Sequence, residues 1–248
     1  MEQPEYDLMA AVEDRHWWWR ARREVIAATI QAYAPSQRAE PFRVLEVGCG
    51  TGGNLPMLAR FGKILGAEYD ATALTYLKAR HGDRFEVMQH AIPEPIPGQF
   101  DIVGMFDVLE HIEDDGAALG WLARQLSPGG IAVLTVPAFP FLWSEHDVAA
   151  RHFRRYTLDM LAALVPPELE VLHLTYFNVL VFPAVAVVRR ALRLLPRSWQ
   201  PRGTHMALPP RPLNWLGYQA FRMERHFAPH RHSAVGVSAL LVLRRRSG

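Results

Sequence analysis

The stretch VLEVGCGTGGN, Val44–Asn54, decides the fold. Apolar, β-branched residues lead into a segment with glycine at positions 48, 50, 52 and 53, and an amphipathic run follows. This order reads as a buried strand, a tight turn and a helix. Glycines in such a turn let the backbone approach a ligand closely, and the helix N-terminus offers free N–H groups. Gly48, Gly50 and Gly53 also satisfy the dinucleotide pattern GxGxxG, which alone carries little weight. Glu46, two residues before the first glycine, argues against a pyrophosphate, because a carboxylate there repels phosphate and attracts a cationic ligand.

Working outward, short β-rich runs alternate with helical ones: RVLEV, NLPMLARF, KILGAE, ATALTYLKAR, RFEVM, FDIVGMF, GAALGWLARQL and GIAVLTV. That alternation predicts βαβ units in an α/β, Rossmann-like, doubly wound sheet whose ligand lies beyond the carboxyl ends of the strands. ELEVLHLTYF and GVSALLVLRRR add a sixth and a seventh strand. The residues between them, about Asn178 to Val235, are too many for a bare loop and are expected to form a helical insertion set on the sheet edge. The expected parts are an N-terminal helical lid (1–40), a cofactor-binding core (41–177), the insertion (178–235) and a last core strand (236–248).

A chain of 248 residues, 50% hydrophobic and 21% charged, is long enough and apolar enough for a full globular core. The single cysteine, Cys49, excludes an internal disulfide and fits a reducing compartment. MEQPEYDLM lacks the basic and apolar regions of a secretory signal, and the longest apolar run, Tyr176–Val188, is interrupted by Asn178 and Pro183 and too short to span a bilayer. A cytoplasmic location is expected, with peripheral contact at the inner membrane face as an addition. Charge supports that addition: Arg189 onward holds twelve arginines against one acid, Glu224, a formal +11, whereas residues 1–188 hold 15 basic and 24 acidic side chains, a formal −9. The basic quarter suits anionic headgroups, an anionic acceptor or a plain solvated face. No RNA-binding module is present, so nucleic acid is not an expected partner.

Three further segments carry chemistry. GAEYDATAL places Glu68 at the end of the second strand, where a carboxylate can take both hydroxyls of a ribose. FDIVGMFDVLEHIEDD delivers Phe106, Asp107, Glu110 and His111 to the same sheet edge, without a phosphate-binding lysine or arginine. LSPGGIAVLTVP reads as a helix end, a Pro-Gly-Gly turn and the next strand.

With these residues in their order and spacing over 41–137, the chain resembles the class I S-adenosylmethionine-dependent methyltransferases, in the branch of the ubiquinone-type O-methyltransferases. The resemblance implies S-adenosylmethionine as cofactor and S-adenosylhomocysteine as product. It also implies that the Gly48–Gly52 loop, with Glu46, Cys49, Gly50 and Asn54, faces the methionine part. Glu68 would bind the ribose, Tyr69 would flank the adenine, and Phe106, Asp107 and His111 would line the cofactor near its methyl. His90 stands where the family usually has Asp, so the adenine amino contact falls to backbone at Ala91 and Ile92. A narrower resemblance, through HWWWRARR, LWSEHDVAARHFRRY, YFN and GVSALLVLRR, is to bacterial methyltransferases of surface-glycan or lipid biosynthesis.

The expected function is therefore methyl transfer to a small-molecule, glycan or lipid-like acceptor. Oxygen is favoured, because FDVLEH lacks the Asn/Asp-Pro-Pro-aromatic motif of enzymes acting on planar nitrogens. Nitrogen or carbon transfer, and a non-catalytic binding protein of this fold, are the alternatives. A hydroxyl acceptor calls for a base. SEHDVAARHFRRY offers His146, oriented by Asp147, as first choice and His152 as second, with Tyr156 beside them and Arg154 or Arg155 for an anionic acceptor. These residues could equally cap and brace a loop. Their spacing is not that of a compact metal site, and no metal is expected.

Three tryptophans in a row, Trp17–Trp19, raise a geometric problem. Successive helical residues rotate by about 100°, so three neighbours fan over about 200° and one indole must leave the core face. The apolar spacing Val12, Trp19, Ile26, Ile30 predicts one continuous helix ending near Pro35. Because the segment before the first strand folds over the cleft in this family, Trp18 and Trp19 are expected to anchor the helix. His16 and Trp17 are expected to face the acceptor, with Arg20, Arg22 or Arg23 meeting the methionine carboxylate or an acceptor anion.

Overall fold

The computed structural model describes residues 3–35, 40–193 and 207–246. Seven strands form one sheet: β1 (Phe42–Val47), β2 (Gly62–Glu68), β3 (Glu86–Gln89), β4 (Phe100–Phe106), β5 (Leu126–Pro137), β6 (Leu169–Phe177) and β7 (Ser238–Arg245), in the order β3-β2-β1-β4-β5-β7-β6. The first five run parallel, and β7 is antiparallel to both β5 and β6. The order reverses between β1 and β4, which puts the topological switch point beside the glycine turn.

Strand alternation divides the core into two layers. Leu45, Val103, Met105 and Leu134 pack with Trp121 and Leu122 of α5 (Asp115–Gln125) and with Leu161 of α7 (Leu158–Leu164). Val44, Ile102, Ile131 and Val133 face the other way, toward α2 (Trp17–Tyr33), α3 (Leu55–Leu58) and α4 (Ala71–His81). All seven residues of β4 are buried, as expected for a strand covered on both faces. Thr157 caps α7 as its sequence suggests, accepting from the Met160 N–H.

Three expectations change. The N-terminal helix is broken: α1 (Gln3–Val12) ends at Val12, and His16 caps α2, its Nδ1 accepting from the Trp18 N–H at 3.2 Å. Val12 and Trp19 therefore belong to different helices, and the apolar spacing hid a break that no Gly or Pro marks. LSPGG is not a free turn but the first part of β5, joined to β4 across a register shift between Phe100 and Ile102.

The third change concerns the insertion. Its helices α8 (Phe182–Arg193) and α9 (Arg211–Arg222) leave the sheet edge, and α9 lies along α2. Asn214 accepts from the Trp17 N–H at 2.9 Å, and the Tyr218 hydroxyl donates to Glu24 at 2.5 Å. Leu194–Arg197, expected to continue the first insertion helix, fall outside the described residues. Glu224, the lone acid of the basic quarter, is buried and accepts from the N–H groups of Asn178 (2.5 Å) and Val179 (2.7 Å), tying the end of the insertion to its beginning. Among the described residues no helix is long and apolar enough to cross a membrane.

Candidate active site

A cavity of about 1040 Å³ opens at the carboxyl ends of β1, β2, β4 and β5. One wall is the glycine turn. Gly48 and Gly50 adopt φ of +68° and +52°, a region costly for side-chain-bearing residues, and a Cβ on Gly48 would overlap Val108. Glu68 grips the turn from β2: its carboxylate accepts from the N–H groups of Gly50 (2.8 Å) and Asp70 (2.9 Å). Cys49 lines the cavity, and burial, aided by Glu46 and Glu68, pushes its thiol up so that it stays protonated. Asn54, Ala91, Ile92, Phe106, Asp107 and His111 also reach the cavity, and Tyr69 stands 73% exposed at its rim.

Two residues expected at the cofactor lie outside the lining. Gly52 turns away against Leu77 and His81. Glu46 lies beneath the loop, where one oxygen accepts from Asn54 Nδ2 at 2.8 Å and the other is buried without a partner. Burial pushes the Glu46 carboxyl up to about 8, with the nearby acids Glu13 and Glu68 adding to the shift and Asn54 opposing it. His90 lines the cavity, its Nε2 2.8 Å from the carbonyl of Glu94.

The N-terminal segment covers the glycine turn. The Tyr6 hydroxyl donates to Asp70 at 2.8 Å, Thr51 Oγ1 donates to Glu13 at 2.5 Å, and Arg80 of α4 pairs with both Glu13 and Asp14. Tyr6, Met9 and Glu13 thereby join the lining, a role that no local motif announces. His16 and all three tryptophans border the cavity, but the anchoring pair differs from expectation. Trp17 and Trp18 pack on Phe221 of α9, with ring centroids 6.1 and 5.5 Å away, while Trp19 meets the edge of His16 at 4.9 Å. The reason is α9, whose Gly217 leaves room for the Trp17 indole. Arg22 is buried and pairs with Asp107 and Thr135, whereas Arg20 turns away to lie over the Tyr218 ring at 4.2 Å. Arg23 pairs with Asp14 instead of reaching the cavity.

The opposite wall follows β5. There α6 (Glu145–Ala149) opens with a capping box in which Asp147 accepts from the Ser144 N–H (2.8 Å) and hydroxyl (3.0 Å). The other Asp147 oxygen accepts from Arg155 Nε at 2.7 Å and stands 3.0 Å from His152 Nδ1. Burial alone would raise this carboxyl, but the bonds from His152, Arg155 and Ser144 hold it well below the usual range. The carboxylate thus orients His152, not the adjacent His146, and the second choice of base has the better geometry. Burial pulls His146 down to about 4, and its Nδ1 has no partner.

Tyr156 and Arg154 leave the site altogether. Tyr156 is fully buried and donates to Asp115 at 3.0 Å, and Arg154 pairs with the same Asp115 on the outer side. Arg155 reaches the cavity but is committed to Asp147 and the Ala138 carbonyl. Arg189 of α8, unmarked by the sequence, comes within 3.6 Å of Asp147 and brings the insertion into this wall. Between the walls lies Glu110, fully buried, with both carboxylate oxygens unpartnered. Burial pushes it well above the ordinary carboxylate range, and Asp107 adds to this. His152 Nε2 faces it at 4.0 Å, and the His111 ring lies 4.7 Å from that of His152. The expectation of no metal site thus meets a three-residue donor cluster, the adjacent Glu110 and His111 joined by His152 from a later segment.

A family model described as a methyltransferase domain matches residues 18–220. The chain belongs to this methyltransferase-domain family. A probable S-adenosylmethionine-dependent methyltransferase of Mycobacterium tuberculosis is 32% identical over 123 residues, 48% of this chain and 43% of that relative. A ubiquinone biosynthesis O-methyltransferase of Rhodopseudomonas palustris is 30% identical over 150 residues, 56% of this chain and 58% of the relative. The chain thus spans about half the length of the curated relatives it matches. Among solved structures, an S-adenosylmethionine dependent methyltransferase of Mesorhizobium loti superposes with a TM-score of 0.59 at 15% identity, covering 94% of this chain and all of the other. One from Clostridium acetobutylicum gives 0.57 at 8% identity, covering 92% of each. At such identities the likeness shows the fold, the Rossmann-like α/β architecture of class I methyltransferases.

Proposed function

We propose that this methyltransferase-family chain moves a methyl group from S-adenosylmethionine to an oxygen of a small-molecule, glycan or lipid-like acceptor. The observation that carries the reading is that one cavity joins the Gly48–Gly50 turn and Glu68 at one end to the Asp147–His152 pair at the other. The cofactor end fits a cationic nucleoside: Gly48 and Gly50 leave backbone facing the cavity, and Glu68 stands where ribose hydroxyls can share its oxygens. Arg22 on the cavity wall is neutralised by Asp107.

Bound there, the sulfonium supplies the activated methyl. The chain's own work is to place the acceptor in line, exclude water and remove a proton. His152, with Nδ1–H held by Asp147, presents Nε2 to the cavity as the proton acceptor. Trp19 and His16, in edge contact with each other, add an aromatic part to the cavity wall.

A lipid-like acceptor presented at an anionic membrane surface is favoured over a free metabolite by the outer face of the insertion. Leu213, Trp215 and Leu216 of α9 are 61%, 61% and 58% exposed, Val187 and Val188 of α8 are 68% and 55% exposed, and arginines flank them.

Calorimetry with S-adenosylhomocysteine tests the cofactor, and a screen of phenolic, sugar and lipid acceptors tests the rest. His152→Ala should keep cofactor affinity and lower turnover about 10²–10⁴-fold. Absence of S-adenosylhomocysteine binding would sink the methyl-transfer reading, and unchanged turnover would remove His152 from it. Flotation with anionic liposomes that leaves the protein unbound at low salt would remove the membrane.

A further inference from the structure

The cavity is divided by charge. Glu13, Glu68, Asp70 and Asp107 line it toward the glycine turn, with Arg22 among them. Toward the histidine wall the lining carries Arg151, Arg155 and Arg189 instead. Arg155 pairs with Asp147 at 2.7 Å, and Arg189 approaches the same carboxylate at 3.6 Å. The three guanidinium groups outnumber the acids there, Asp147 and Glu110, even with both ionised. Among the described residues the Arg151 side chain forms no hydrogen bond or ion pair.

Arg151 also holds an unfavourable backbone. It follows α6 with φ +57°, in the left-handed region, at the position where helices usually end on glycine. The Arg151 N–H donates to the Val148 carbonyl at 3.0 Å and the His152 N–H to that of Asp147 at 2.9 Å. A glycine would make the same helix end without strain. What arginine adds is its side chain, exposed at the cavity wall, and residues strained in this way gather at ligand clamps.

Two more groups serve this end of the cavity. His146 lines it with Nδ1 buried and without a hydrogen-bond partner, and burial pulls its pKa down to about 4, so a neutral ring is available to donate N–H. Arg189 belongs to α8, whose Val187 and Val188 are exposed. That helix therefore offers a cation to the cavity and an apolar strip outside it.

We infer that the histidine end of the cavity holds a phosphate or pyrophosphate group of the acceptor, bound by Arg151, Arg189 and the His146 N–H. Guanidinium groups and an imidazole from three segments suit an anion with several outward oxygens in a tetrahedral arrangement, whereas a carboxylate offers two in one plane. The apolar strip beside Arg189 favours a phosphate carried on a lipid over a free one. The site rests on the methyl-transfer reading for the fate of its ligand, not for anion binding itself.

The full chain is titrated calorimetrically with inorganic pyrophosphate at low salt, with and without S-adenosylhomocysteine. One equivalent should bind at submillimolar concentration in both states. Arg151→Gly and Arg189→Gln should each weaken it at least about tenfold, with S-adenosylhomocysteine affinity retained. Arg151→Gly separates binding from folding: it should melt at the parent temperature or above, because glycine accepts φ +57° freely. A lower melting temperature with unchanged pyrophosphate affinity would make Arg151 structural and overturn the site. So would absence of pyrophosphate binding, or binding that survives both substitutions and therefore lies elsewhere on the basic surface. Decyl phosphate, below its micellar concentration, should displace pyrophosphate at lower concentration than glycerol phosphate; equal displacement would overturn the lipid source and leave the anion subsite. Pyrophosphate binding without S-adenosylhomocysteine binding would sink methyl transfer while the subsite stands, and the converse result would do the opposite.

Discussion

At the glycine-turn end of the cavity the turn itself is a backbone cradle, fixed by positive φ at Gly48 and Gly50 and by the grip of Glu68 on two N–H groups. At the histidine end the wall is side chains, held by one buried carboxylate, Asp147, that collects Ser144, His152 and Arg155 and has Arg189 within reach. The first construction leaves no room for a Cβ at Gly48 and is braced by two carboxylates from outside the turn, Glu68 and Glu13. The second depends on ion pairing, and removing its hub strands the buried Arg155 charge and releases the hold on His152. A backbone cradle suits an invariant ligand, and a side-chain network can be rewired for a different acceptor.

The contrast breaks most visibly at Gly48. Gly48→Val puts a β-branched residue at φ +68° and drives its side chain into Val108. S-adenosylhomocysteine affinity should fall at least a hundredfold in calorimetry, together with a stability loss of about 2–4 kcal/mol. A variant with unchanged affinity would show that the turn is not the cradle.

At the other end, Asp147→Ala leaves Arg155 buried and unpaired and should cost about 3–5 kcal/mol in denaturant unfolding. Cofactor affinity, measured at a temperature where the variant is folded, should stay within a few-fold of the parent. A parallel collapse of that affinity would mean that the two walls are one energetic unit.

How far each wall is legible in the sequence follows from the same difference. Val44–Asn54 announces its strand, turn and ligand-facing backbone within eleven residues, because φ preferences and strand patterning are local. Glu68 is legible as the acid ending the second strand. The histidine wall is legible only as composition. SEHDVAARHFRRY supplied the residues but not the pairing, since helix geometry and the capping box turn the Asp147 carboxylate toward His152 and away from its neighbour His146. Tyr156 looked catalytic by proximity in sequence and is core by direction. Arg189 and Glu13 enter from elements 42 and 38 residues from their partners Asp147 and Thr51, and no window of sequence contains both ends. The break at Glu13–His16 escaped because a histidine cap replaced the usual breakers.

Glu46 carries the next effect, a pH dependence confined to the backbone wall. Its ordinary value is 4.5 and its folded value about 8, so the unfolded chain releases the proton first. Its contribution to stability is full below about 4.5 and is lost as pH rises through 8, with a slope of at most about 1.4 kcal/mol per pH unit. Glu46→Gln should flatten that slope in denaturant titrations between pH 5 and 8. Equal slopes in parent and variant would place the ionisation elsewhere.

The smallest effects separate the tryptophans, which span both ends. Trp17 is half-buried against Phe221 and Gly217, so Trp17→Ala should lower stability by about 2 kcal/mol, less than the 3–5 kcal/mol of a fully buried ring. Trp19 touches His16 and the cavity but not the core clusters, so Trp19→Ala should cost under about 1 kcal/mol while lowering turnover. Measuring melting temperature and specific activity on both variants sets the two losses against each other. If Trp19→Ala melts early with normal activity, its ring is structural. The insertion would then hold the lid through all three indoles, and the acceptor wall would begin at His16.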